Sequence, residues 1–162
     1  MMRWSPTLGL AVAILVAGAS QSAVAETFSE KINRTLPDSL VQELLTASLK
    51  NLQHALCEKG QPCLPATEEE LAHPPITLVV AREVIVQSAT AALMKFCGLD
   101  YKRSFLPMMM HYRNEQMNDR KLALIALLHG ISQGQQLQAL QKQLKKCPED
   151  LKAKLDAALP KL

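Results

Sequence analysis

Apolar residues recur at three- and four-residue spacing through most of the chain, and prolines punctuate the runs. Leu45, Leu49, Leu52 and Leu56 share one face of a helix that Pro37-Asp38 opens and Gly60 and Pro62 close. Thr67 stands three residues before Glu70, the spacing at which a hydroxyl and a carboxylate cap each other's backbone, so a short helix begins there. Pro74-Pro75 launches the segment 76–97, where Leu78, Ala81, Ile85, Ala89, Ala92 and Phe96 form a stripe. Its β-branched stretches, TLVVA and EVIVQ, have strand character, but its length without a breaker and the stop at Gly98 predict a helix.

Asp100 is placed to cap the segment 101–113, which must start late or kink at Pro107. Asn118 caps another helix, and 122–128 is apolar throughout, as expected of the central helix of a domain. Ala126, Gly130 and Gly134 then align four residues apart, a pattern that predicts close approach of a neighbouring helix. Leu137, Leu140 and Leu144 extend the apolar face to Cys147. Pro148 starts a final amphipathic helix bearing Leu151, Leu155 and Ala158. The pattern predicts an all-α fold, a single disulfide-stapled bundle of about five or six helices.

The first 25 residues follow a different logic. A positive start at Arg3, an apolar run over 8–19 and the motif Ala23-Val24-Ala25 make a secretory signal peptide, with the helical domain at 26–162. The apolar run is too short to span a bilayer, where about 20 residues are needed, so no stable membrane anchor is expected after cleavage. The destination is periplasmic or secreted. In that oxidising setting Cys57, Cys63, Cys97 and Cys147 read as two disulfides. Three connectivities are open. The turn chemistry of 58–62 favours Cys57–Cys63, leaving Cys97–Cys147 to join two helical segments.

Charge and composition narrow the function classes. The formal charge is +3, or +2 without Arg3, and aromatic residues make up only 4%, a poor basis for a nucleic-acid surface. The chain has no C-x-x-C pair, nucleophile elbow, H-E-x-x-H helix or phosphate-cradling glycine loop. With its cysteines paired it offers no thiol nucleophile, and neither an enzyme nor a cofactor is predicted. Among the histidines, His129 borders the buried run and reads as structural, with a pocket base as the rival. His54 and His73 read as surface residues. Met108-Met109-Met110-His111 has soft copper ligands, but consecutive helical residues point about 100° apart and cannot converge on one ion. No metal site is expected.

What remains is an interaction protein: an adaptor, inhibitor, chaperone or secretion accessory. A carrier of a small hydrophobic ligand or soft metal between helices is the alternative. The candidate surface lies between Phe96 and Arg113, where four of the five aromatics beyond residue 25 fall, with three methionines. Its named residues are Tyr101, Lys102, Met109, Tyr112 and Arg113. Tyr101, Phe105, Met108 and Tyr112 form one stripe and Lys102, Met109 and Arg113 another. Only one of the two is expected to face the core.

Overall fold

Side chains that satisfy free backbone groups open several of the helices, and prolines precede two others. The computed structural model describes residues 36–159, so the address expected at 1–25 lies outside them. The helices are α1 (Asp38–Lys50), α2 (Glu68–Ala72), α3 (Leu78–Phe96), α4 (Lys102–Asn114), α5 (Asp119–Gln143) and α6 (Glu149–Ala158). Single 3-10 turns occupy Leu52–His54 and Glu58–Gly60. The described residues contain no strand, only a lone bridge between Leu56 and Pro62. The fold is all-α.

Thr67 and Glu70 form the expected capping box: the Thr67 Oγ1 accepts from the Glu70 N–H at 3.1 Å, and the Glu70 Oε2 accepts from the Thr67 N–H at 2.9 Å. Thr77 caps α3, Asn118 caps α5, and Asp100 accepts from the Lys102 N–H at 3.0 Å. Beyond α3, Gly98 takes φ 69°, and the N–H of Leu99 reaches back to the Met94 carbonyl at 2.8 Å. That six-residue closure needs a left-handed residue, which glycine adopts without strain.

Three expectations change. The first helix ends at Lys50, well before Gly60. Asn51 stops it by donating its side-chain N–H to the Ala47 carbonyl at 2.8 Å, and Leu56, now outside the helix, is 66% exposed. The fourth helix begins at Lys102 and runs through Pro107, rather than starting late. It forgoes one N–H there and gains the burial of Met108 and Tyr112. Finally, Ala126, Gly130 and Gly134 do not make a close helix contact. A Cβ at either glycine would meet nothing within 4 Å. The close approach occurs elsewhere, where Ser88 on α3 meets Ser132 on α5 with hydroxyls 2.9 Å apart.

Helices α3 and α5 form the middle of the bundle, with α1 and α4 each packed against both. Lys95 and Phe96 lie beside Leu137 and Gln141, so α3 and α5 run parallel. Helix α4 returns antiparallel across one side of this pair: Tyr112 near its end meets Glu83, and Phe105 near its start meets His129. One core cluster joins Val41, Leu45 and Leu49 of α1, Leu52 of the 3-10 turn after it, Val84 and Ile85 of α3, Met108 and Tyr112 of α4, and Leu124, Ile125 and Leu128 of α5.

Two disulfides, Cys57–Cys63 and Cys97–Cys147, are the pairs favoured by the turn chemistry. They suit an oxidising, exported environment. Arginines make further ties. Arg82 holds the Leu36 carbonyl and Asp38. Arg120 binds both carboxylate oxygens of Glu70, at 2.7 and 2.6 Å, and the carbonyls of Leu64 and Pro65.

Candidate functional site

Helix α4 sorts the two sequence stripes. Met108 is buried and Tyr112 is 3% exposed, while Tyr101 and Phe105 are half-buried, so the first stripe faces inward. Tyr112 therefore leaves the candidate surface of the free chain. Burial among apolar neighbours, reinforced by the Glu83 carboxylate, raises its phenol well above the usual range. Its hydroxyl donates to Glu83 Oε2 at 3.2 Å.

Lys102 and Arg113 are exposed and Met109 is half-buried against the core. Between them lie two side chains that the sequence stripes omitted: Leu106, 41% exposed, and Met110, 64% exposed. At 100° per residue, 102, 106, 109, 110 and 113 span one face about 100° wide. The signal was present as the four-residue step from Lys102 to Leu106 to Met110. Choosing it over the aromatic stripe required knowing which side meets α3 and α5.

The three consecutive methionines diverge, from buried Met108 through Met109 to exposed Met110. Among the described residues no group of three His, Cys, Asp or Glu gathers as a metal site. His111 is exposed, with Nε2 3.5 Å from Glu115.

The other edge of α4 borders an open groove of about 560 Å3 lined by Glu83, Gln87, Pro107, Met108, His111, Tyr112 and Leu159. Arg103 and Ser104 complete it. Arg103 is 8% exposed and engages the end of α6, binding the Asp156 carboxylate and the carbonyls of Asp156 and Leu159. A guanidinium suits the carbonyl-rich end of a helix, where partial negative charge collects. Its place in the groove is thus structural: it fastens α6.

Behind α4 the α3–α5 contact turns polar. Ser88 donates to the Ile85 carbonyl at 2.6 Å, and the Gln136 Nε2 sits 3.1 Å from Ser88 Oγ and 2.9 Å from Ser132 Oγ. His129 is 2% exposed, its ring 4.9 Å from that of Phe105. Burial lowers its pKa to about 4, so the ring is neutral near pH 7. His129 Nε2, Gln133 Nε2 and Gln136 Oε1 have no hydrogen-bond partner within the described structure. These side chains form a polar seam along the contact between α3 and α5. His54 and His73 are exposed, as expected.

No helix among the described residues is long and apolar enough to cross a membrane. Comparison with known proteins returned no matching family model, no matching curated protein and no matching solved structure.

Proposed function

We propose that this protein is exported to the periplasm and acts by binding another protein through the outer face of α4. The carrying observation is the pair Leu106 and Met110, exposed side by side on one helical face and framed by Lys102 and Arg113. An amphipathic helix that offers apolar anchors four residues apart suits insertion into a groove on a partner. Methionine adapts to irregular surfaces, and arginine is enriched at binding hot spots. The periplasmic destination rests on the signal pattern of 1–25 together with the two disulfides.

The test is Leu106→Asp combined with Met110→Asp, introduced into the exported protein and compared with it in crosslinked affinity capture. Both side chains stand outside the core, so the thermal midpoint should hold while partner recovery falls about tenfold or more. Recovery that persists with the fold intact would reject α4 as the docking face.

A further inference from the structure

We infer that the groove between the C-terminal ends of α3 and α5 binds an acidic amphipathic helix of a partner protein. This deepens the protein-binding reading, on which it rests, by adding a second contact of defined chemistry. The groove has a volume of about 470 Å3 and is lined by Lys95, Phe96, Leu137, Gln141, Leu144 and Lys145. Phe96 and Leu137 are half-buried, Leu144 beside them is 37% exposed, and both lysines are exposed. No acidic residue lines it. Among the described residues neither ammonium is in a salt bridge, although the Lys95 Nζ also lies 5.7 Å from the Tyr101 ring centroid.

The charge lining the groove is all positive. Lys142 and Lys146 flank Lys145, and Lys102 follows Tyr101. Lys95 and Lys142 occupy the last turns of α3 and α5, where they offset the partial negative charge of the helix ends. Lys145 lies beyond that turn. Leucines from a docked helix would cover Phe96 and Leu137, with glutamates meeting Lys95 and Lys145 at the rim. A lipid surface fits less well, because only three apolar side chains, two of them half-buried, line the groove between the lysines. Single-stranded nucleic acid fits less well too, since one half-buried ring offers little stacking.

The exported chain would be titrated against a labelled synthetic acidic helix of about 18 residues, with leucines three and four apart among glutamates. The counter-probes are the same helix with lysine for glutamate, phosphatidylglycerol vesicles and single-stranded DNA. Fluorescence anisotropy should show saturable binding of the acidic helix and at least about tenfold weaker binding of its basic counterpart. Lys95→Glu with Lys145→Glu should weaken the acidic helix by a similar factor, and Lys95→Gln with Lys145→Gln by less. Thermal midpoints check that each variant folds. Undiminished binding to the charge-reversed variant would overturn the inference, as would tighter binding of vesicles or DNA at the same lysines. Leu106→Asp with Met110→Asp should leave this binding unchanged, so failure at α4 and failure at the groove are read separately.

Discussion

Glu70 accepts from the backbone N–H of Thr67 and from the Arg120 guanidinium, so two neighbours at once favour its charged form. The Arg120 hydrogen bonds lead in holding its carboxyl at about 2 rather than 4.5. The folded value lies below the unfolded one, so this stabilisation is complete above pH 4.5 and lost as pH falls toward 2. His129 acts in a neighbouring window. Its folded pKa is about 4 against an ordinary 6.5, so the unfolded chain takes up the proton first and stability declines from pH 6.5 toward 4. Urea titrations across pH should therefore show weakening throughout the range from 6.5 to 2. Glu70→Gln should cost about 1–3 kcal/mol at pH 7 and flatten the lower part of that profile, while His129→Leu should flatten the upper part. An unchanged acid slope in either variant would contradict the assigned cause. The glycines of α5 give the opposite sign. Open space around a Cβ at Gly130 or Gly134 means that Gly130→Ala and Gly134→Ala should each stabilise the protein by about 0.5–1 kcal/mol. A lower denaturation midpoint would mean that a neighbour does approach there.

At the scale of elements, α6, like the short α2, has no buried residue. Cys97–Cys147 ties its entry and Arg103 ties its exit. On a chain-entropy account, closing the loop between Cys97 and Cys147 contributes about 4 kcal/mol, against about 2.4 kcal/mol for Cys57–Cys63. Replacing the first pair with alanine should lower the thermal midpoint more than replacing the second. It should also speed hydrogen exchange in α6 before the α3–α5 pair; a larger loss from the small loop would reverse this ranking. These elements also show what a sequence makes legible. Caps act within a few residues, so Thr67, Asp100 and Asn118 marked helix starts without knowledge of the fold, and Gly98 marked a stop. Asn51 was less visible as a stop because Leu52 and Leu56 continue the helical spacing past it. Helix proximity depends on which faces meet. Ala126, Gly130 and Gly134 looked like a contact stripe, whereas Ser88 and Ser132 make the approach. The site followed the same division: Lys102, Met109 and Arg113 were found as a stripe, but burial of Tyr112 and exposure of Leu106 and Met110 depend on tertiary packing.

For the whole molecule, the parallel pair α3 and α5 supplies a middle layer that α1 and α4 flank. Placing α4 on one flank turns Met108 and Tyr112 into the core and leaves Leu106 and Met110 outside. The apolar outer face is therefore a consequence of how the bundle closes, and it sits on an element secured at its start by Asp100 and packed against two helices. Because the helix is already packed, binding there orders side chains but costs little further backbone freedom. On the proposed function, this face meets a partner in the compartment where the disulfides persist. The most direct measurement is site-specific photocrosslinking in cells exporting the protein, with the reactive side chain substituted at Met110 or, as the control, at exposed Glu43 on α1. A discrete crosslinked heterocomplex is expected from Met110, absent from Glu43 and lost when Leu106→Asp is added. Equal crosslinking from both positions, or none from Met110 while the protein remains folded and exported, would contradict it.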